Sequence, residues 1–243
     1  MLFTDFGLTG PYTGQVAAVL HRDAPDVPVI SLFADAPSER PKPSAYLLAA
    51  YGAWFPAGTV LLCVVDPGVG SERRAVVAEA EGRIYVGPDN GLFDIVTRRV
   101  DDARLWEIIW HPGSLSPSFH GRDLFAPVAA RLARGESLAA LAQPARDEQA
   151  SRGWPDDLAE IVYVDHYGNA MTGLRGALLS PTPTAHLTVR GRRLARAATF
   201  SAVRPGEAFW YINSNGLAEI AVNGGQADQA LGLAIGDLVT VES

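Results

Sequence analysis

The run from Leu61 to Gly70 constrains the fold of this chain more than any other stretch. It reads Leu-Leu-Cys-Val-Val-Asp-Pro-Gly-Val-Gly, an apolar, β-branched segment that stops at a carboxylate and turns on proline and glycine. This pattern predicts a buried strand with Asp66 at its carboxyl end, the edge of an open α/β sheet where ligands bind. Arg73 follows across the turn, where its guanidinium could orient Asp66 and keep it ionised. A plain structural turn is the alternative, since Asp-Pro-Gly is common turn chemistry.

A second carboxylate stands at the end of a predicted strand near the start of the chain. Met1 to Thr4 is interpreted as a very short strand, and a helical pattern covers 12–20, so that Asp5 lies between the two elements. Asp5 thus repeats the arrangement of Asp66. Its purely structural alternative is an N-cap of the following helix.

One histidine also precedes a predicted helix. His120 stands before a helical pattern that continues to Ala133. A lone histidine at such a place is more often a surface or capping residue than a catalyst. The neighbouring Arg122 and Asp123 favour a structural ion pair. The residues alone therefore leave the role of His120 open.

The periodicity of the chain changes after about residue 145. The pattern predicts an α/β N-terminal domain with a central, mostly parallel sheet over 1–145, a polar linker over 146–157 and a small C-terminal all-β barrel over 158–243. The barrel is expected because short alternating segments are separated by Gly, Pro and Asn turns. Those segments are 161–164, 185–189, 192–196, 208–212, 218–222 and 238–241. The helices of the first domain include one predicted over 45–54, after a proline-rich loop at 37–43.

Charge and hydropathy exclude several classes of partner. The net charge of -7 argues against a nucleic acid or an anionic membrane surface as partner. No apolar run reaches the roughly 20 residues of a membrane span, and the start lacks the charged segment of a secretory signal. The one cysteine, Cys63, lies in an apolar strand and fits a reducing compartment. We therefore expect a cytoplasmic protein.

Six short blocks, distributed from the first residues almost to the last, resemble one known family. They are Thr4-Asp5-Phe6-Gly7, Val65-Asp66-Pro67-Gly68-Val69-Gly70, Gly87-Pro88-Asp89-Asn90-Gly91, Phe119-His120-Gly121-Arg122-Asp123, Asp165-His166-Tyr167-Gly168-Asn169, and Asn213-Ser214-Asn215-Gly216 continuing through Val222-Asn223-Gly224-Gly225. Together they resemble the S-adenosyl-L-methionine hydrolase (adenosine-forming) family, also called SAM hydroxide adenosyltransferases, which is related to fluorinase and chlorinase.

The resemblance implies an architecture, an assembly and a reaction. The fold would be an N-terminal α/β domain and a C-terminal β-barrel. The assembly would be a homotrimer that binds S-adenosyl-L-methionine at subunit interfaces, where one N-terminal domain meets a neighbour's C-terminal domain. The reaction would be hydrolysis to adenosine and L-methionine, with no metal and no cofactor.

The resemblance also assigns site residues. The family's catalytic Asp-Arg-His trio falls on Asp66, Arg73 and His120, and its ribose-binding aspartate falls on Asp5. Substrate binding falls on residues beside the histidine and in the second domain, namely Phe119, Gly121, Asp165, Asn169, Phe200, Ser214, Asn215, Val222 and Gly224. An aromatic such as Phe200 is otherwise more often a core residue.

The chain departs from the family pattern at one segment, and at another segment two adjacent arginines could match the arginine of the family's trio. The family usually has an Asp-Ile-Thr-His-like segment after its second strand, whereas this chain has Leu32-Phe33-Ala34-Asp35. This departure puts in doubt the local shape of one pocket wall and the subunit contact there. Arg74 is a rival to Arg73 for the arginine of the trio.

The expected chemistry is in-line attack of an activated water on C5' of the substrate. A sulfonium is already an excellent leaving group, so the enzyme must mainly position the water and accept its proton. Either Asp66 or His120 could be the base, with Arg73 stabilising hydroxide-like character. The alternatives are a halide-dependent adenosyltransferase, against which a carboxylate near the anion argues, and a non-catalytic protein that binds S-adenosyl-L-methionine or adenosine.

Overall fold

The chain folds into two compact units, each with its own apolar core. The computed structural model describes residues 1–145, 152–179 and 185–242. The units comprise Met1–Gly153 and Trp154–Ser243, and buried apolar clusters lie in both. Of the predicted linker 146–157, residues 146–151 lie outside the described residues.

A seven-stranded sheet lies at the centre of the first unit. Its strands are β1 (Leu2–Thr4), β2 (Ser31–Phe33), β3 (Val60–Val64), β4 (Ala75–Ala80), β5 (Arg83–Pro88), β6 (Arg104–Ile108) and β7 (Ala142–Pro144). They are ordered β2-β1-β3-β5-β4-β6-β7. Strand β3 occupies an interior position, and residues 61–64 are buried, as expected for a parallel strand covered on both faces.

This sheet is mixed, which corrects the expectation of a mostly parallel one. The pairings β2-β1, β1-β3 and β3-β5 are parallel, whereas β5-β4, β4-β6 and β6-β7 are antiparallel. The change of direction begins at Glu81 and Gly82, which both have positive φ angles of 50° and 71°. Two such residues form the tight turn that suits the twist of a β-hairpin, so β4 and β5 must run antiparallel.

The helices of the first unit are short. They are α1 (Tyr12–Asp23), α2 (Pro41–Gly52), α3 (Asp94–Arg98) and α4 (Ala126–Ala133). Helix α2 begins inside the segment predicted as a proline-rich loop, because Pro41 occupies the first helical turn, where its missing N–H costs nothing. No helix among the described residues has the length and apolar character needed to cross a membrane.

A π-helical turn, Gly121–Phe125, immediately precedes α4. The N–H of Ala126 bonds to the carbonyl of Gly121, five residues back, so this turn is wider than an α-helical turn. His120 stands at its N-terminal boundary and makes no side-chain capping bond. Its imidazole is therefore available for other contacts.

The second unit is built mainly from antiparallel strands. They are β8 (Leu158–Val164), β9 (Ala170–Arg175), β10 (His186–Val189), β11 (Arg192–Leu194), β12 (Ala208–Ile212), β13 (Leu217–Val222) and β14 (Val239–Glu242). A four-stranded sheet has the order β12-β13-β9-β8, and a three-stranded sheet has the order β11-β10-β14. The short helices α5 (Gly176–Leu179) and α6 (Ala227–Leu231) mean that the unit is not all-β as predicted. Residues 180–184 and 243 lie outside the described part of the chain.

Candidate active site

A cleft of about 540 Å³ opens in the first unit, beside the carboxyl ends of β1 and β3. Asp5 and Asp66 follow those two parallel strands and both line the cleft. His120 lines it from the turn before the π-helical segment. The fold therefore brings three distant parts of the sequence to one edge of the sheet, where open α/β sheets bind ligands.

Asp66, Arg73 and His120 form one hydrogen-bonded cluster. Arg73 donates from Nε to Asp66 Oδ1 at 2.7 Å and from Nη2 to Asp66 Oδ2, which makes a bidentate ion pair. The same Nη2 lies 3.1 Å from His120 Nδ1. The side chains of Arg73 and Asp66 are only 10% and 4% exposed, and the Arg73 guanidinium also lies over the Phe125 ring. The charges are therefore held in a fixed, largely desolvated arrangement.

The protonation state of His120 follows from its burial and from its contact with Arg73. A guanidinium has only donors, so Nδ1 of His120 must accept, and the neutral ring carries its proton on Nε2. Burial lowers the pKa of His120 below its usual value, and the positive charge of Arg73 lowers it further, against the smaller opposing effects of Asp66 and Asp123. Geometry and electrostatics both favour a neutral imidazole.

Neighbouring residues close the turn that carries Asp66. The Ser71 hydroxyl donates to the Gly68 carbonyl at 2.7 Å and accepts the N–H of Arg73 at 3.3 Å. Asn90 donates its amide to the carbonyl of Val65 at 2.8 Å, directly before Asp66. Sequence reasoning gave neither side chain this role. A serine two residues before the bonded N–H is a recognisable turn signal, whereas the Asn90 contact depends on the fold.

The arginine of the cluster is Arg73 and not Arg74. Arg74 donates from Nε to Asp89 at 2.8 Å, and the Asp89 N–H returns a bond to the Arg74 carbonyl at 3.0 Å. Arg74 therefore ties the Asp66 turn to the Gly87–Gly91 turn as a structural pair. Arg122 and Asp123, likewise, form the ion pair predicted from the sequence, at 2.6 Å.

Asp5 is not the N-cap of α1, because that position belongs to Pro11 and has no side-chain capping bond. The Asp5 carboxylate instead accepts the backbone N–H of Glu39 at 2.9 Å. Glu39 has a positive φ of 56°, a strained conformation for a non-glycine residue, and it lines the same cleft. Burial raises the pKa of Asp5, and the Glu39 N–H partly opposes this effect. Sequence reasoning missed Glu39, since nothing in its local sequence points to Asp5.

The segment Leu32-Phe33-Ala34-Asp35, which departs from the family pattern, supports the Asp5 turn through its backbone. The carbonyl of Ala34 accepts the N–H of Gly7 at 2.6 Å, and the carbonyl of Thr4 accepts the N–H of Ala36 at 3.1 Å. These bonds use no side chain of the segment. Its unusual sequence is therefore compatible with a regular turn at Asp5.

An aromatic wall lies beside His120. Phe119 makes edge-to-face contacts with Phe6 and Tyr12, at centroid distances of 5.7 and 5.5 Å, and all three rings line the cleft. A Cβ added to Gly121 would stand 3.1 Å from the Phe6 ring and 3.4 Å from the Phe119 ring. Phe119 and Gly121, both assigned to substrate binding from the sequence, therefore lie on the cleft, and Phe6 and Tyr12 join them.

In the second unit, Asp165 and Asn169 belong to one polar turn. Asp165 Oδ1 accepts the N–H groups of Tyr167 at 2.8 Å and Asn169 at 2.9 Å, and Oδ2 accepts the Asn169 amide at 3.2 Å. Asn169 is buried, whereas Asp165 is partly exposed. The two residues assigned to binding are thus mutual structural partners, with acceptor capacity left on Asp165.

Ser214 and Asn215 lie on a second turn of this unit, between β12 and β13. Ser214 is exposed, and Asn215 donates to its hydroxyl at 3.4 Å. The side chain of Asn213 accepts the N–H groups of Asn215 at 2.9 Å and Leu217 at 3.0 Å. This turn is therefore closed by Asn213, which directly precedes the two assigned residues.

The remaining assigned residues of the second unit have structural contacts of their own. Phe200 packs edge-on against Phe209 and Tyr211, at centroid distances of 5.2 and 5.4 Å, and is partly exposed. Val222 is buried and its carbonyl accepts the N–H of Gly225, with the exposed Gly224 between them in the turn. Phe200 therefore packs against two aromatic rings and keeps part of its surface accessible.

Metal-type ligands do not cluster in the described ranges. Across residues 1–145, 152–179 and 185–242, no group of three or more His, Cys, Asp or Glu side chains is arranged to hold a metal ion.

Two family models and several similar proteins match this chain over nearly its whole length. The SAM hydroxide adenosyltransferase N-terminal domain model matches residues 1–142, and the corresponding C-terminal domain model matches residues 159–240. The chain is 38% identical to the (R)-S-adenosyl-L-methionine hydrolase of Salinispora tropica, over 98% of this chain and 95% of that protein. It is 40% identical to the protein of the same name from Salinispora arenicola, with the same coverage. A crystal structure of an uncharacterized conserved protein from Thermotoga maritima superposes with a TM-score of 0.90 at 30% identity, over 100% of this chain and 99% of that one.

Proposed function

This chain belongs to the SAM hydroxide adenosyltransferase family, and from that premise we propose that it hydrolyses S-adenosyl-L-methionine to adenosine and L-methionine. The observation that carries the proposal is the hydrogen-bonded cluster of Asp66, Arg73 and His120 at the wall of the cleft. Such a buried set of charges is needless for a protein that merely binds its ligand. It is suited to holding one water and receiving its proton.

The proposed step is in-line displacement at C5'. The water oxygen bonds to C5' as the C5'–S bond breaks, and the electron pair leaves with the methionine sulfur, which becomes a neutral thioether. The attacking water becomes strongly acidic as this happens, so a weak base is sufficient to take its proton. No metal or organic cofactor is required, because the sulfonium already carries the positive charge that makes it leave.

Asp66 is the base in this proposal, and His120 orients the water. His120 Nδ1 faces the Arg73 donor, so the ring offers an Nε2–H and has no free acceptor. The two oxygens of Asp66 both accept from Arg73, yet a carboxylate has about four lone-pair sites and retains capacity for a water. Arg73 stabilises the negative charge that develops on the oxygen.

The charge of the cleft supports a cationic substrate over a halide. Three carboxylate side chains, those of Asp5, Glu39 and Asp66, line it. Asp66 is paired with Arg73 and the Arg122 of the lining is paired with Asp123, so Asp5 and Glu39 give the cleft its negative character. S-adenosyl-L-methionine brings a sulfonium and an ammonium, which carboxylates attract, and a halide ion would be repelled. Asp5 is proposed to accept hydrogen bonds from the ribose hydroxyls and thereby fix the line of attack.

Side chains of the second unit are proposed to recognise the ends of the substrate. Asp165 would face the methionine ammonium, and Asn169, Ser214 and Asn215 would offer neutral hydrogen bonds to the amino acid or to the adenine edge. Phe200 would contact adenine through its exposed surface, with the backbone near Val222 and Gly224. These roles rest on the family resemblance and on the positions of the residues in turns.

The homotrimer and the β-barrel of the second unit are also proposals. Tyr12 and Val69 line the cleft and are 51% and 37% exposed, which supports coverage of this apolar rim by a neighbouring subunit. The number of three subunits rests on the family resemblance. Isolated bridges pair Glu160 with Leu238 and Arg196 with Trp210. They join the two antiparallel sheets at both edges, which supports a barrel. A cytoplasmic location remains a prediction.

The test is the identity of the nucleoside product. Incubation with S-adenosyl-L-methionine in halide-free buffer made with ¹⁸O-water should yield adenosine that carries the heavy oxygen at its 5' hydroxyl. Adding chloride should not change that product. A 5'-chlorinated nucleoside would support the adenosyltransferase alternative, and intact substrate after prolonged incubation would support a non-catalytic binding protein.

A further inference from the structure

Glu219 is a buried carboxylate of the second unit that sequence reasoning missed. It lies in β13 and is only 2% exposed, among apolar neighbours on the same strand. Burial raises its pKa, and the nearby charge of Asp165 acts in the same direction. An isolated carboxylate in such surroundings is strongly unfavourable, so its retention requires specific partners.

Two donors supply that partnership. The Tyr211 hydroxyl donates to Glu219 Oε1 at 2.5 Å, and the Asn213 amide donates to Glu219 Oε2 at 2.6 Å. Tyr211 belongs to the aromatic contact with Phe200, and Asn213 closes the turn that presents Ser214 and Asn215. The Glu219 carboxylate therefore contacts two residues that each hold a candidate substrate-binding residue in place.

The contact with Asn213 also fixes which way its amide points. Because Glu219 can only accept when ionised, Nδ2 of Asn213 must face it, and Oδ1 must face the turn. Oδ1 there accepts the N–H groups of Asn215 and Leu217. A flipped amide would direct donors at those two N–H groups and release the turn.

We infer that Glu219 is a positioning residue for substrate recognition, acting through the Asn213 amide on the shape of the turn that carries Ser214 and Asn215. The inference deepens the proposed hydrolysis of S-adenosyl-L-methionine and rests on it, because the turn matters only if it binds that substrate. Glu219 itself need not touch the substrate.

The test compares substitutions that separate stability from positioning. Glu219→Gln should retain the contacts, with its oxygen toward Asn213 and its amide toward Tyr211, whose hydroxyl can also accept. Glu219→Leu fills a similar volume, so the protein should fold, with a urea midpoint lowered modestly because the Tyr211 hydroxyl loses its acceptor. The substitution also removes the acceptor for Asn213, and the KM for S-adenosyl-L-methionine should rise about tenfold or more while kcat is retained.

A swapped pair gives an independent check. Asn213→Asp alone places two carboxylates against each other and should raise KM. In the double variant Asn213→Asp with Glu219→Gln, the new glutamine amide can donate to the new aspartate, which still accepts the N–H groups of Asn215 and Leu217. KM should return towards the parent value, because the polarity of the contact is reversed and not lost.

Amide hydrogen exchange without substrate separates this inference from the proposed function. Exchange at Asn215 and Leu217 should accelerate in Glu219→Leu and be restored in the swapped pair. If the parent does not hydrolyse the substrate, the proposed function fails, and with it the role in recognition, although the exchange data still report on the turn. If the parent is active and Glu219→Leu leaves KM unchanged, the inference is overturned and hydrolysis stands. Should Glu219→Leu not fold, the swapped pair decides by the same readouts.

Discussion

At the scale of single residues, the Arg73 guanidinium determines what its neighbours can do. It has five N–H donors and no acceptor, so every group that it contacts must accept. Asp66 meets that requirement as a carboxylate, and His120 meets it only as a neutral ring with Nδ1 unprotonated. One side chain therefore orients both partners, which is the condition for their proposed division of labour.

Replacing Arg73 should affect hydrolysis far more than replacing its neighbour. Arg73→Lys keeps a positive charge but cannot donate to Asp66 in two places and to His120 at once, so we expect kcat to fall by about 10²-fold or more. Arg74→Lys alters only the structural pair with Asp89 and is the matched control, with kcat within about twofold of the parent. Steady-state kinetics check both, and equal losses in the two variants would contradict the assignment of Arg73.

Activity should decline at a lower pH than the titration of an ordinary histidine would predict. Protonating His120 puts a proton on Nδ1 against the Arg73 donor, so the active form is the neutral ring. Because burial and Arg73 lower the pKa of His120 from 6.5, activity should persist as pH falls through 6.5 and decline only below it.

The measurement is kcat/KM against pH, which reports groups of the free enzyme. Asp5 also has a shifted pKa, raised by burial from 3.8, and Asp5→Asn separates its effect from that of His120. A limb centred above pH 6.5 in both proteins would contradict the neutral imidazole.

At the scale of elements, the site is made of turns that follow strands. Such turns were predictable where the sequence itself shows a strand stopping at a carboxylate, as at Asp5 and Asp66. The Arg73 contact was also within reach of the sequence, since only a short turn separates it from Asp66. His120 needed the family resemblance, because its closeness to Arg73 depends on how the whole sheet is ordered.

Other features depended on contacts that local sequence does not encode. Strands β6, β7 and β9 were missed, and β7 has only three residues, too few to show a period. Helix α2 began earlier than its apolar pattern because prolines are tolerated in a first turn. Glu39 bonds to Asp5, which is distant in sequence, and Glu219 contacts Tyr211 and Asn213 across the β12–β13 hairpin. Both glutamates were missed because the local sequence around neither of them shows these contacts.

The absence of a side chain at Gly121 lets the Phe6 and Phe119 rings approach its backbone closely, and a pair of alanine substitutions can test this requirement. In Gly121→Ala the new Cβ would press on the Phe6 and Phe119 rings, so the wall beside His120 must shift and kcat/KM should fall about tenfold. Gly113→Ala is the matched control, since a Cβ there meets no atom within 4 Å. Kinetics with urea unfolding of both variants would show whether the loss is local, and an unchanged Gly121→Ala enzyme would contradict a tight wall.

At the scale of the whole molecule, the proposed mechanism divides two tasks between the units. The first unit carries the Asp66–Arg73–His120 cluster, and the second carries the polar turns assigned to recognition. Each has its own core, so each can keep its side chains rigid independently of the other. Substitutions in the Asp66–Arg73–His120 cluster should therefore change mainly kcat, and those in the turns of the second unit mainly KM.

The proposed assembly predicts a definite mass in solution. Light scattering after size-exclusion chromatography should give three times the 25.9 kDa of one chain. Tyr12→Glu would place a charge on the exposed apolar rim of the cleft and should shift the mass towards the monomer. A monomeric parent at micromolar concentration would contradict the trimer, without bearing on the chemistry of the cluster.

The number of residues in the wide helical turn Gly121–Phe125 determines the direction in which the preceding His120 points. If one residue were deleted there, the segment could close as an ordinary α-helix, and whatever precedes it would swing by about 100° around the helix axis. The imidazole would then aim elsewhere although every functional side chain was still present. In this fold, the deletion of one residue would disrupt the contact of His120 with Arg73 as effectively as the replacement of His120 itself.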